Sequence, residues 1–245
     1  MKKAIVIGSG FAGLSSAAYL AKAGVDVTVI EKNEDLGGRA RKFKASGYTF
    51  DMGPSWYWMP EIFDNFFGDF DFTTKDFYDL IKLDPGFKIV FQESTMEIPA
   101  NWEEICLLFD KYEKNGAKRL NSFMDDAEKK YSIGLRFLYN SPGLSLSELL
   151  RKDVLFNANK LQLLTTYRKH IRRFFSNEKL ISLLEFPVLF LGTSAKSAPA
   201  LYSLMAYSGI KQGTFYPMGG FARVIESMVE ICKKNGVKFL TKEQV

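Results

Sequence analysis

In 245 residues the sequence has one histidine, His170, and two cysteines, Cys106 and Cys232. A single imidazole excludes a His-rich metal centre. It also disfavours a Ser-His-Asp arrangement, because Arg168, Lys169, Arg172 and Arg173 surround it. His170 is therefore expected at the surface, and no metal site is predicted. The cysteines are far apart and lack ligand spacing, as in a reduced intracellular protein, and neither is expected to be catalytic. Long apolar runs are missing too: beyond the N-terminus the longest uncharged stretch, 197–210, is too short to span a bilayer. Met1-Lys2-Lys3 and the uncharged run 4–21 have the outline of a secretory leader. Gly8, Gly10 and Gly13 interrupt that run, however, and Val25-Asp26-Val27-Thr28-Val29-Ile30-Glu31 follows where a cleavage site would lie. The expected location is cytoplasmic, with any membrane contact peripheral and on the inner face of the cell membrane.

What is present is an ample apolar fraction, 47%, and a mild basic excess, +5. That charge suits an anionic membrane surface, nucleic acid or neither. No helix-turn-helix or RRM-like pattern accompanies it, so nucleic acid is not an expected partner. Ala4-Ile5-Val6-Ile7 reads as a strand buried on both faces, Phe11 to Ala23 as a helix capped by Gly24, and Val25, Val27 and Val29 as a second strand. Gly47 to Pro99 reads as loops and short antiparallel strands, at Tyr48 to Asp51, Phe87 to Phe91 and Met96 to Pro99. Asn101 followed by Glu104 signals a helix start, and helical periodicity then runs to about Ile210, interrupted at Gly143 and Pro187. Phe221 to Lys234 reads as a helix, and Val237 to Leu240 as a strand. The predicted fold is α/β: a Rossmann-like βαβ parallel sheet with a largely helical insert. The segments are 1–60 for the nucleotide-binding βαβ, 61–212 for a substrate- and membrane-facing region, and 213–245 for the return to the sheet. Three parallel strands are fewer than a doubly wound fold has. The chain is therefore expected to be a piece of a longer protein, one product of a split gene or a pseudogene fragment.

Gly8-Ser9-Gly10-Phe11-Ala12-Gly13 is GxGxxG between a strand and a helix. There Gly8 makes the turn, Gly10 admits a pyrophosphate, and Gly13 lets helix and strand pack closely at the positive end of the helix. Glu31, followed by Lys32, ends the second strand, where a carboxylate can hold both ribose hydroxyls and repel a 2'-phosphate, disfavouring NADP. Leu36-Gly37-Gly38-Arg39 adds backbone without side chains and a fixed cation for a diphosphate. Together these favour FAD over NAD.

With these blocks, Phe50-Asp51-Met52-Gly53-Pro54-Ser55, Ala198-Pro199-Ala200-Leu201-Tyr202 and Tyr216-Pro217-Met218-Gly219-Gly220, the sequence resembles the bacterial phytoene desaturases among the amine-oxidase-like flavoproteins. The resemblance implies an FAD-dependent oxidoreductase of carotenoid biosynthesis that desaturates a long apolar isoprenoid by hydride transfer to flavin. It also implies that Gly53 and Pro54 lie near the isoalloxazine, with Ser55 beside them among the cofactor-binding residues, and that Val245 contacts adenine through its backbone. Family members run to about twice this length and have a second glycine-rich segment near the C-terminus, so a missing C-terminal half is implied as a partner. No spacing singles out a catalytic base, and a weak one would be sufficient after hydride loss. Phe50, Trp56, Tyr57 and Trp58 are candidates for apolar bulk beside the flavin, and Tyr167 to Phe175 for an interfacial basic helix. An inactive fragment that binds at most the ADP part of FAD, a carotenoid isomerase and a 3,4-desaturase stay open as alternatives.

Overall fold

Lys3–Ile7 forms strand β1, Phe11–Lys22 helix α1 and Asp26–Glu31 strand β2, in a computed structural model that describes residues 1–140 and 161–245. There follow β3 (Lys42–Ala45), β4 (Tyr48–Asp51), α2 (Pro60–Gly68), β5 (Leu80–Lys82), β6 (Phe87–Val90), β7 (Thr95–Ile98), α3 (Trp102–Tyr112) and α4 (Gly116–Asn140). After the undescribed residues come α5 (Tyr167–Ile171), α6 (Glu178–Glu185), β8 (Phe215–Pro217), α7 (Phe221–Lys234) and β9 (Lys238–Thr241). Contacts divide the chain into two units, Met1–Lys82 with Phe215–Val245, and Leu83–Thr214.

In the first unit β1, β2 and β9 form a parallel sheet in that order, with Val6 opposite Val29 and Val29 opposite Phe239. Alternation puts Val27 and Val29 on one face, where they pack with Leu14, Ala17 and Ala18 of α1 and Val224, Met228 and Ile231 of α7. The alanines of α1 carry little bulk, so α1 can pack close to its neighbours. On the other face Ile5, Ile7 and Leu240 remain exposed, so β1 is not buried on both faces as its apolar run predicts. Burial on both faces needs a packed layer on each, and the core of this unit lies on the Val27 and Val29 face.

The stretch expected to hold only loops and short strands contains α2 as well. Pro60 occupies its first turn and Glu61 lies there too, both helix-start signals, while Phe66 and Phe67 are buried in the core. Its periodicity is hard to see in sequence because aromatic residues crowd both flanks. The hairpin of β3 and β4 turns at Ser46 and Gly47, both at positive φ.

In the second unit the side chain of Asn101 accepts the Glu104 N–H at 3.2 Å, the predicted start of α3. The break expected at Gly143 lies outside the described residues. At Pro187 the helical run does change: α6 ends at Glu185 and a six-residue 3-10 stretch, Phe186–Leu191, follows.

His170 is not at the surface. It is 1% exposed, with its ring against Phe123 and Phe174, and its Nε2 lies 3.0 Å from Asp126 Oδ2. The fully buried Lys130 reaches the same oxygen at 2.5 Å. Four cationic neighbours in sequence suggested a solvated segment, but the helix turns His170 inward with Tyr167 and Ile171, while Lys169, Arg172 and Arg173 point outward.

Candidate functional site

The loop after β1 turns where Gly8, at φ +92°, donates its N–H to the Ile30 carbonyl at 2.8 Å. A Cβ at Gly13 would lie 2.0 Å from the Gly8 carbonyl oxygen, so the loop closes on α1 at a distance that only glycine allows. A Cβ at Gly8 or Gly10 would meet nothing within 4 Å; the outer side of the loop is open space. No side chain caps α1, and its first turn holds no acidic residue, which leaves its positive end available to an anion. These contrasts separate folding from binding. Gly13→Ala is expected to lose about 1–3 kcal/mol of stability through backbone overlap. Gly10→Ala should unfold at the parent temperature and yet bind ADP about tenfold more weakly, by filling the approach path. Thermal melts and ADP titration of both variants check this, and equal behaviour of the two would refute it.

Glu31 is 4% exposed at the end of β2. Its Oε2 accepts the Ser9 N–H at 3.0 Å and the Ser9 hydroxyl at 2.7 Å, and its Oε1 accepts the Asn33 N–H at 3.0 Å and the Asn33 amide at 2.6 Å. Burial works to raise its pKa, but these hydrogen bonds outweigh it and hold the carboxyl at about 2. The carboxylate has about four lone-pair sites, and here all are used. A ribose hydroxyl would have to take over an acceptor site from Ser9 Oγ or the Asn33 amide. Ser9 has a further role that the motif alone does not reveal: its carbonyl and hydroxyl oxygens each accept the Gly37 N–H at 3.1 Å. The second glycine motif is thereby fastened to the first, and Gly38 packs with its Cβ position 3.1 Å from Gly10 Cα.

Arg39 is exposed and makes no hydrogen bond or ion pair among the described residues, whereas Arg41 donates to the Gly38 carbonyl at 2.9 Å. Lys32 is exposed beside Glu31. Gly53 lies against Arg39, where a Cβ would come within 2.1 Å of the Arg39 carbonyl oxygen; Pro54 and Ser55 follow it in the chain. At the other end of the chain, Glu243 donates its N–H to the Glu31 carbonyl at 3.1 Å, two residues before the exposed Val245. Gly8 to Gly13, Glu31, Gly37 to Arg39, Gly53 and the 242–245 segment thus share one edge of the first unit. A groove of about 500 Å³ lined by Leu36, Arg41, Ile225 and Glu230, among others, abuts the second motif, but no residue of the glycine loop lines it.

The aromatic candidates part company. Tyr57 is fully buried, its hydroxyl 3.0 Å from that of Tyr78 and its ring against Phe63 and Phe221, which makes it a core residue. Phe50 stacks on Phe43 across the hairpin and stays 46% exposed, and Trp56 and Trp58 are partly exposed. Asp51 has a role invisible in sequence. Its carboxylate accepts the N–H groups of Phe221 and Ala222 at 3.0 and 3.2 Å, capping α7 from 170 residues away. Gly220 admits that carboxylate, since a Cβ there would sit 2.5 Å from Asp51 Oδ2. The FDxGPS and YPxGG blocks are therefore two halves of one contact.

Comparison with known proteins shows the family of the chain. The model for flavin containing amine oxidoreductases matches residues 11–245, and the chain belongs to that family. It is 36% identical over 243 residues to the carotenoid 3,4-desaturase of Haloarcula japonica, covering 98% of this chain and 49% of that one. It is 32% identical over 241 residues to the phytoene desaturase of Fusarium fujikuroi, covering 97% and 42%. The chain thus spans a little under half the length of these relatives. Among solved structures, a Pyrococcus furiosus protein aligns with a TM-score of 0.60 at 21% identity, over 99% of this chain and 52% of that one. A putrescine oxidase variant aligns with a TM-score of 0.59 at 16% identity, over 100% and 51%. At these identities the structural likeness establishes the α/β fold alone.

Proposed function

We propose that this chain binds the ADP part of FAD and forms part of an oxidoreductase that desaturates a long isoprenoid, a phytoene-like carotenoid precursor. The observation that carries the reading is the fastening of Gly37 to Ser9 and of Gly38 to Gly10, which gathers both glycine motifs, Glu31 and the free Arg39 guanidinium around one open loop. In this reading the positive end of α1 and Arg39 hold the diphosphate, and Glu31 orients the ribose through an exchange with Ser9 or Asn33. Lys32 and Ser55 flank these groups, Gly53 and Pro54 bring backbone toward the isoalloxazine, and Val245 presents backbone to adenine. A bound flavin supplies the hydride acceptor for oxidation of an allylic C–H bond. Carotenoid desaturation as the reaction class rests on the activities named for the relatives. A membrane surface, as the place where so apolar a substrate resides, belongs to the same reading, with residues 61–212 on that side. Among the described residues no helix is long and apolar enough to cross a membrane.

A yellow purified protein with a flavin absorption spectrum, or one that becomes so with added FAD, is the expected result. A protein that stays colourless would leave the second reading, an inactive fragment that binds at most the ADP part of FAD. Expression in cells that accumulate phytoene, followed by pigment absorption, tests the reaction. A longer chromophore indicates desaturation, and a changed isomer of unchanged length indicates an isomerase.

A further inference from the structure

Residues 161–214 carry seven basic side chains, Arg168, Lys169, Arg172, Arg173, Lys179, Lys196 and Lys211, against two carboxylates, Glu178 and Glu185. Their formal balance, +5, equals the net charge of the entire chain. Both carboxylates are already ion-paired, Glu185 with Arg168 and Glu178 with Arg172. Among the basic side chains of this segment, Lys169, Arg173 and Lys196 are exposed and take part in no ion pair among the described residues. Arg172 is exposed as well.

The helix expected to meet a membrane cannot do so with its apolar side. Helix α5 has five residues, Ile171 and Phe175 are buried, and Tyr167 is spent on a hydrogen bond from its hydroxyl to the Leu184 carbonyl at 2.7 Å. Exposed apolar bulk lies instead on two flanking turns. In the 3-10 stretch Phe186–Leu191, three consecutive large side chains project: Leu189, Phe190 and Leu191, at 64%, 60% and 44% exposure. Before α5, Leu163 is 43% exposed and Leu164 fully so. The projecting trio is held firmly, since Val188 beside it is completely buried and the Phe186 ring packs on Phe87 at 5.1 Å. Both turns leave from one anchor: Tyr167 and Arg168 bind Leu184 and Glu185, the last residues of α6 before the trio's own turn. Exposed leucines on rigid turns, in a segment that also exposes the unpaired cations Lys169, Arg173 and Lys196, have the chemistry of an interfacial lipid contact, apolar side chains accompanied by basic ones.

We propose that the turns at Leu163-Leu164 and Leu189-Phe190-Leu191 are the part of this protein that enters an anionic lipid surface, with Lys169 and Lys196 at the headgroups. The inference deepens the membrane part of the function proposed above, yet it requires neither flavin nor turnover, so either can fail alone.

The test is sedimentation of the purified chain with vesicles of phosphatidylcholine, alone or mixed equally with phosphatidylglycerol. The parent should pellet with the mixed vesicles, and less so at high salt. Leu189→Ser with Leu191→Ser should weaken that binding at least about tenfold, while Lys169→Glu with Lys196→Glu should abolish the preference for anionic lipid. Circular dichroism and thermal melts establish that the variants are folded. A second measurement avoids loss of function altogether: Leu191→Cys carries an environment-sensitive fluorophore in a Cys106→Ser background. Cys232 will not compete for the label, because burial pushes its thiol up to about 12. The probe should shift to the blue with mixed vesicles. A parent that does not pellet, unchanged pelleting of the leucine variant, or a silent probe on pelleted protein would overturn the proposal. So would a parent that is dimeric in ultracentrifugation, becomes monomeric in the leucine variant and ignores lipid, because the turns would then bind a second copy of the chain.

Discussion

Glu31→Ala is expected to lower the unfolding free energy by about 2–4 kcal/mol, because buried donors of Ser9 and Asn33 lose their acceptor. The same substitution should weaken ADP binding at least about a hundredfold, since the loop that presents α1 to the ligand is held by those bonds. Glu31→Gln should be nearly as harmful. Its amide nitrogen would face either the two Ser9 donors or the two Asn33 donors, replacing two attractions by two conflicts. The pH dependence follows from the same geometry. The folded carboxyl titrates at about 2 against an ordinary value of 4.5, so its stabilisation is complete above 4.5 and is lost as the pH falls toward 2. Urea unfolding of parent and Glu31→Ala between neutral pH and pH 3 measures this: the difference between them should shrink on acidification. A constant difference would show that the charge of Glu31 does not hold the loop.

Asp126→Ala should destabilise the second unit by about 3–5 kcal/mol, the largest loss of stability foreseen for a single substitution in this chain, because it strands a buried cation. Asp126 bridges Lys130, which is fully buried, and His170, whose Nδ1 has no hydrogen-bond partner among the described residues. Burial lowers the pKa of both bases against the pull of Asp126, and Arg173 adds a like charge nearby. Burial works to raise the Asp126 pKa, but its bonds to His170 and Lys130 hold it at about 2. The variant can relieve part of its loss by releasing the Lys130 proton, so its deficit should diminish as the pH rises. In the parent, His170 is kept neutral in the fold below its ordinary 6.5, and a group so depressed adds stability above that value and loses it as the pH falls. The parent should therefore weaken from about pH 6.5 downward, with Asp126 adding to the loss at lower pH. His170→Phe should flatten the first part of that slope. Denaturant midpoints across pH read both effects, and an Asp126→Ala variant as stable as the parent would show that Lys130 is solvated rather than trapped.

How much of this was legible beforehand depends on how far apart the interacting residues lie. Strand, glycine loop and helix from Lys3 to Lys22 follow from neighbours a few residues apart, as does the Asn101 cap, and the structure forms them within a residue or so of the expected positions. Gly13 is a further local case, since the carbonyl it approaches is five residues away. The second glycine motif stands out in the sequence, but its attachment to the first does not, because Ser9 occupies a motif position open to many residues. Helix α2 escaped notice among the aromatics although Pro60 marked its start.

Local sequence was enough to specify the βαβ opening, the glycine and acidic positions around the loop after β1, and the helical character of the insert. Each depends on backbone sterics and on periodicities that act along the chain. Contacts between distant segments, by contrast, saturate Glu31 with Ser9 and Asn33, make Asp51 the cap of a helix 170 residues away, put Tyr57 in the core and bury His170 on a carboxylate. Burial and hydrogen-bond partnership are properties of neighbours in space, and the same polar side chain is a ligand group, a cap or a buried pair according to what the fold brings against it.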